Sequence, residues 1–491
     1  LLASFAAAGT LAGFVCGSLQ ASGLWPDFSR SHTLWCAAVG WLAGLGVGAL
    51  TLLFVGAREG SMGGASRFAR AARAVAAVVA LSPGALWFTF LFPGGLLRDA
   101  APRGSLLGDD RPNIVLISID ALRADHLGSY GSAAGLTPNL DAFAREATRY
   151  DAAYAASPWT LASFGSLFTS LPPSRSVVVR EGDEDTAAYA WRASLLPGAA
   201  LLSGALRTAG YRTAAELTNP FLSSKRGWSR DFHSYRNEDG GDAEVLLSSE
   251  TARAETVTEH ARAWLALNRR EPFFLWVHYL DPHAPYDSPD APPELSGRYP
   301  AEWETQRTYW YETMVDAEPD ERVRFEEYCR RMYAEEVRYA DRWVGELLAE
   351  LKRRHIYDDA VIAVISDHGE EFFEHGGFEH GHSMHEEVLR VPLLVKWPKG
   401  VEAEAVVGQT VALESVAVTA LELAECSPME GSWVGPLPRR NGERGAEVFS
   451  EGTLHGVEQT ALTTDEYKVI YRPSADGGRG EFEVYDRRRD R

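Results

Sequence analysis

Three short, almost unbroken apolar runs, each followed by a carboxylate or an imidazole, constrain this chain more than any other feature. They are residues 113–119 (NIVLISI), Phe273–Tyr279 (FFLWVHY) and 360–366 (AVIAVIS), with a shorter run of the same kind at 392–397. A strand that is apolar on both faces is one covered on both sides, as in a parallel sheet between helices. Longer segments with helical spacing lie between these runs, at 138–147, 160–171, 195–209, 255–268, 322–353 and 413–424. The alternation predicts an α/β fold with a mainly parallel central sheet flanked by helices. Residues 466–486 read as a β-hairpin with a Gly-rich turn at 476–480, a small antiparallel piece near the C-terminal end.

Ligands of open α/β sheets bind beyond the carboxyl ends of the strands. Asp120 follows the first run, Asp281 and His283 the second, and Asp367 and His368 the third. Any one of them alone serves equally well as a loop residue or a helix N-cap. Three strands delivering Asp and His to one edge instead suggest the ligand set of a divalent cation. Thr160, in the segment SPWTLAS (157–163), opens a helical run. Threonine there is commonly a simple cap, but free N–H groups and the positive dipole end also favour an anionic oxygen. A His-rich stretch, HGGFEHGHSMH (375–385), holds His375, His380, His382 and His385 and follows closely on His368, so it is expected over the same strand end.

The first hundred residues have a different character. Residues 3–24, 33–57 and 74–97 are apolar and free of internal charge, and each reaches the roughly 20 residues a helix needs to cross a bilayer. Arg58, Arg67, Arg70 and Arg73 lie in the second connection, whereas the first has Arg30 offset by Asp27. The positive-inside rule then places the second loop in the cytoplasm and everything after about residue 100 in the periplasm or outside the cell. The expected organisation is a membrane domain of three transmembrane helices (1–98), a linker (99–111), an α/β domain (112–430) and a C-terminal subdomain (431–491). A formal net charge of −20 argues against a nucleic-acid partner. Four scattered cysteines form no disulfide framework. Residues 301–327, with Trp303, Tyr309, Trp310 and Tyr311, read as an amphipathic surface helix rather than a lid.

In order along the chain, NIVLISIDALRADHLG (113–128), TPNL (137–140), SPWTLASFGSLFTSLPPSR (157–175), DPHAPY (281–286), SDHGEE (366–371) and RVPL (390–393) resemble the motifs of the sulfatase family, within the alkaline-phosphatase-like superfamily. The resemblance implies a small antiparallel C-terminal sheet and metal ligation by Asp120, Asp367 and His368, with Thr160 as nucleophile and fourth ligand. Ala121 stands where the family often has a second acid, and Ser170 where a Thr-Gly pair would have glycine. Sulfatases carry Cys or Ser at the nucleophile position, oxidised to formylglycine, within Cys/Ser-x-Pro-x-Arg. This chain departs from that pattern at Thr160, Ala162 and Phe164. Threonine cannot yield the aldehyde, because its methyl group would leave a ketone. His368 in place of the usual asparagine is similar to the phosphoesterase and phosphotransferase branches. Of Mn2+, Zn2+, Ca2+ and Mg2+, its imidazole favours Mn2+ or Zn2+. By the same resemblance His283 contacts the scissile group and His380 binds it, with His382 as the alternative in a loop one residue longer. A second ion on His380 or His382 stays open. Arg123 and Asn219 are candidates to line the substrate site, with a structural role the more ordinary use of both.

The expected function is metal-dependent cleavage of phosphate or sulfate esters through a covalent Thr160 intermediate. Phosphoester or phosphodiester hydrolysis or phosphoryl transfer is favoured, on a phosphorylated or sulfated envelope or glycan substrate. The alternatives are a sulfuric ester hydrolase without formylglycine and a catalytically inert membrane binding protein.

Overall fold

The structure, a computed structural model, describes residues 111–179, 193–237, 253–267, 271–295, 314, 317–443, 445–474 and 478–489. The three apolar stretches before residue 98, the linker up to residue 110, and residues 301–313 lie outside the described residues. Among the described residues no helix is long and apolar enough to cross a membrane.

Among the described residues the main sheet has nine strands: β1 (Ile114–Ile119), β2 (Thr148–Tyr154), β3 (Arg212–Leu217), β4 (Ser234–Asn237), β5 (Phe273–Tyr279), β6 (Val361–Ile365), β7 (Arg390–Val391), β8 (Leu393–Lys396) and β9 (Val406–Ala412). β1 sits at its centre, parallel to β5 on one side and β6 on the other, with Ser118 opposite both His278 and Ile365. β3 and β4 continue the parallel arrangement beyond β5. The three apolar runs are therefore adjacent central strands, and their carboxyl ends share one edge.

Residues 392–397, read as a further parallel strand, are instead antiparallel to β6. The chain returns from β6 through a loop with only one short helical turn, Glu386–Leu389. A parallel neighbour needs a longer crossover, usually through a helix, so the strand runs back the other way. Pro392 separates β7 from β8, both facing β2. It has no N–H to donate to the ladder. β9 covers the other edge of β2.

Among the described residues six longer helices flank the sheet: α1 (Pro138–Ala144), α2 (Thr160–Thr169), α3 (Leu202–Thr208), α4 (Ala254–Leu267), α5 (Pro319–Arg353) and α6 (Ser415–Leu423). Ile114 and Leu116 of β1 pack in the layer of α2, α3 and α6; Val115, Ile117 and Ile119 pack in the layer of α1, α4 and α5. Alternating residues of one strand thus serve two cores, as its unbroken apolar run requires. The helix expected over 195–209 is shorter. Ala193–Leu195 pairs as a strand with Val177–Val179, and Pro197 and Gly198 (φ +81°) hold the chain out of helix before Leu202. α5 carries Asp320 and Glu321 in its first turn and Lys352 and Arg353 in its last, each sign at the favourable end of the dipole. The expected C-terminal hairpin belongs to a four-stranded antiparallel sheet of Val448–Ser450, Thr460–Thr463, Tyr467–Arg472 and Glu481–Asp486.

Candidate active site

Asp120 leaves the end of β1, and Asp367 and His368 leave the end of β6 next to it; all three are fully buried. His368 Nε2 lies 3.5 Å from Asp120 Oδ1 and 3.5 Å from Asp367 Oδ2. His368 Nδ1 donates to the Gly369 carbonyl at 2.9 Å, which puts the Nε2 lone pair on the carboxylate side. Asp120 Oδ1 and Asp367 Oδ2 have no hydrogen-bond partner although both are buried.

Two such carboxylates close together repel unless a proton or a cation lies between them. Burial, then the charge of Asp120, push Asp367 up to about 8. Burial also opposes ionisation of Asp120, but His283, His278 and His368 outweigh it and bring the group down to about 2. The three side chains offer ligand atoms within 4.8 Å of one another. Two unpartnered carboxylate oxygens and a neutral imidazole nitrogen fit one divalent ion.

The other Asp120 oxygen is held by the protein. Asn219 Nδ2 donates to Oδ2 at 2.7 Å, and His278 Nε2 lies 3.2 Å from the same atom. Asn219 thus orients Asp120, while its own Oδ1 accepts from Phe221 N at 2.8 Å.

Thr160 opens α2 directly after Trp159, whose backbone is extended (φ −154°, ψ 156°). Its Oγ1 lies 3.3 Å from His368 Nε2, on the Asp120–Asp367 side of the imidazole. Ser163 Oγ donates to the Asp367 carbonyl at 2.7 Å, locking the first turn of α2 to the tip of β6. Ser157 Oγ and Trp159 Nε1 both donate to the Gly452 carbonyl, at 3.2 and 2.7 Å, fixing the approach to the helix. The N–H groups of a first helical turn have no intrahelical acceptor and are available to an anion bound there.

Besides His278, three more imidazoles lie close together at this end of the sheet. The His380 ring lies 4.1 Å from that of His368 and 4.8 Å from that of His283. His380 Nδ1 meets Glu370 Oε1 at 2.7 Å, and the Tyr286 hydroxyl donates to Glu370 Oε2 at 2.9 Å. His283 Nδ1 donates to the Ala284 carbonyl.

Other candidates lie elsewhere. His382 is turned onto Glu371, with Nε2 at 2.9 Å from Oε2, and so is not grouped with the three rings. Arg123 is held by Asp125, Glu374 and the Glu370 carbonyl, a set that accounts for its guanidinium without a substrate. Asp281 accepts from Ala254 N at the start of α4 and from Arg253, so it caps a helix instead of joining the edge. His375 and His385 stack on each other as a pair of their own.

Two residues of the site were not singled out from the sequence, His278 and Glu370. His278 is the only ionisable residue before the terminal tyrosine in FFLWVHY, and the two-residue period of a strand puts it on the same face as Phe274 and Trp276. An imidazole in a run otherwise built for burial is the signal that could have found it.

A family model described as Sulfatase matches residues 112–426, well over half of the chain. The chain belongs to the sulfatase family. As such it is an ester hydrolase of the sulfatase/alkaline phosphatase superfamily, acting on sulfuric or phosphoric esters. It is 24% identical over 444 residues to an arylsulfatase of Clostridium perfringens, covering 77% of this chain and 89% of that one. It is 27% identical over 329 residues to a choline-sulfatase of Rhizobium meliloti, covering 59% of this chain and 63% of that one. Among solved structures it is similar to a protein in complex with its substrate D-glucosamine-2-N,6-O-disulfate, with a TM-score of 0.61, 18% identity and coverage of 77% of this chain and 92% of that one. It is also similar to the phosphonate monoester hydrolase of Agrobacterium radiobacter, with a TM-score of 0.57, 17% identity and coverage of 77% and 90%. These likenesses establish a sulfatase fold.

Proposed function

We propose that this sulfatase-family hydrolase cleaves or transfers phosphoesters or phosphodiesters, with Thr160 as nucleophile and a divalent ion held by Asp120, Asp367 and His368. The observation that carries the reading is the position of Thr160 Oγ1, 3.3 Å from His368 Nε2 at the start of a helix, beside two unpartnered carboxylate oxygens. A bound divalent ion supplies a lowered pKa for the Thr160 hydroxyl and neutralises charge on the ester oxygens. Thr160 Oγ1, its proton released to solvent, forms a bond to phosphorus while the bond to the leaving oxygen breaks in line, giving a phosphothreonine. The N–H groups at the start of α2 face the equatorial oxygens. His283 or His380 hands a proton to the leaving oxygen. Water, or an acceptor alcohol, then takes the phosphoryl group from Thr160.

Phe164 supports this reading over the formylglycine route. It stands where the formylglycine pattern has arginine, and it is buried against Phe168, Trp228 and Trp276. The two relatives named as sulfatases favour a second reading, sulfate-ester cleavage without formylglycine. Mn2+ or Zn2+ is the ion the imidazole ligand favours. In this reading residues 3–24, 33–57 and 74–97 hold the enzyme in a membrane with the catalytic domain outside the cytoplasm, facing a phosphorylated or sulfated envelope or glycan substrate.

The test is a panel of chromogenic phosphate, phosphodiester and sulfate esters with Mn2+, Zn2+, Ca2+ or chelator, on the wild type and Thr160→Ala. Metal-dependent phosphoester turnover with a phosphorylated Thr160 peptide in the mass spectrum supports the proposal. Sulfate release that survives Thr160→Ala favours the second reading.

A further inference from the structure

We propose a second metal site, built from His375, His385 and Glu387, that takes a borderline transition-metal ion of the zinc class and shares no ligand with the Asp120 centre. The three residues offer ligand atoms within 4.8 Å of one another. His375 Nδ1 lies 2.6 Å from Glu387 Oε1. The rings of His375 and His385 stack with centroids 3.5 Å apart and planes 2° from parallel.

His385 carries the inference. The residue is only 4% exposed, and its Nδ1 is buried with no partner. Its other nitrogen is engaged: Nε2 lies 3.1 Å from Glu483 Oε2 on the last strand of the C-terminal sheet, and Glu483 also accepts from the Tyr485 hydroxyl at 2.6 Å. A carboxylate on one imidazole nitrogen holds the proton there and leaves the lone pair on the other. That is the carboxylate–histidine pair that orients ligands in metal sites. A lone pair buried without a donor is otherwise an unmet acceptor that destabilises the fold.

Two imidazoles and one carboxylate suit Zn2+ and its neighbours, with a fourth position for water, and do not suit the all-oxygen preference of Ca2+ or Mg2+. Access is through His375, whose side chain is 41% exposed, against 7% for Glu387. Closing on an ion requires the His375 ring to tilt off the stack, while His385 is already held by Glu483. The ligands flank His380 in sequence, and Glu483 lies on the C-terminal sheet. A bound ion would therefore pin both ends of the His380 loop to that sheet. The site does not depend on Thr160 being a nucleophile.

The experiment counts zinc per full-length chain by plasma mass spectrometry after dialysis against buffered free Zn2+. It uses the wild type, His375→Ala, His385→Ala and an Asp120→Asn/Asp367→Asn variant that removes the catalytic carboxylates. The double Asn variant is expected to keep one zinc and to lose it when His375→Ala is added. His375 is exposed, so that substitution leaves folding intact, which circular dichroism verifies, and His385→Ala supplies the same result from the buried ligand. Glu483→Gln is expected to weaken zinc binding about 10- to 100-fold in the same background. Zinc that vanishes with the double Asn change, or a count unmoved by His375→Ala, overturns the proposal.

Discussion

His278 Nε2 lies 3.2 Å from Asp120 Oδ2, and the other nitrogen of the same ring meets Ser118 Oγ at 2.9 Å. Trp276 Nε1 donates to Ser118 Oγ, also at 2.9 Å, and the serine's own hydrogen faces His278 Nδ1 and, at 3.4 Å, the Val277 carbonyl. The Asp120 carboxylate beside Nε2 favours the tautomer with the proton on that nitrogen. With Asn219 as a second donor, Oδ2 is occupied and Oδ1 is left buried without a partner. His278→Leu removes one of these donors while staying apolar among Phe164 and Trp276. Affinity for Mn2+ or Zn2+ at the Asp120 site is expected to fall about 10- to 100-fold, the usual effect of losing a group that orients a ligand. Titration calorimetry in the His375→Ala background reads this site alone. Unchanged affinity would mean that Asp120 is positioned without His278.

Thr160 separates the functional readings most sharply. Thr160→Ala keeps the helix start but removes the oxygen beside His368, and is expected to lower kcat on phosphoesters by about 10^3-fold or more. Thr160→Ser returns the hydroxyl without the methyl group and should stay within roughly tenfold of the wild type. If serine is as inactive as alanine while both variants bind metal normally, the hydroxyl is not the attacking group.

The central strands were legible because their apolar runs are unbroken, and Asp120, Asp367 and His368 because each follows such a run. β3 was not, because its sequence, RTAAEL, has little β-branched character and places Glu216 inside the fold, where it is 3% exposed. β2 alternates, but with Arg149 and Asp151 between its apolar positions it resembles any surface segment until Arg390 and β9 cover its edges. The direction of β8 depended on the absence of a crossover helix, which no local pattern records. In the His-rich loop, sequence could place four histidines near one strand end. It could not say that Glu371 draws His382 aside or that Glu370 holds His380 beside His368.

Glu414 gives the fold a pH dependence of its own. It ends the connection from β9 to α6, is 1% exposed, and neither of its carboxyl oxygens has a partner. Burial raises it from 4.5 to about 7. Below pH 4.5 it is protonated whether the chain is folded or not, and contributes nothing. Between 4.5 and 7 the folded state holds a proton that the unfolded state has released, so stability falls as pH rises. Above 7 the full loss persists, on the order of 3 kcal/mol from a shift of about 2.5 units. Glu414→Gln should flatten this slope and raise the urea midpoint at pH 8.5 more than at pH 4.5. A pH-independent effect of the substitution would place a donor or a cation beside the carboxylate.

Phe164 tests why this chain does not follow the formylglycine pattern. Its ring lies 5.1 Å from Trp276, 6.4 Å from Phe168 and edge-on to His278 at 5.1 Å. A guanidinium placed there would lose its water and meet aromatic rings, with no carboxylate in this set to pair with. Phe164→Arg is expected to destabilise the catalytic domain by about 4 kcal/mol or more, among the largest effects of a single change. Phe164→Leu leaves a smaller void in an apolar wall and should cost about 1–2 kcal/mol. Urea unfolding followed by tryptophan fluorescence distinguishes the two, since Trp228 and Trp276 report on this cluster. An arginine variant within about 1 kcal/mol of the leucine variant would mean that the guanidinium reaches the Asp120 centre. The aromatic packing around α2 would then be no barrier to a formylglycine-type site.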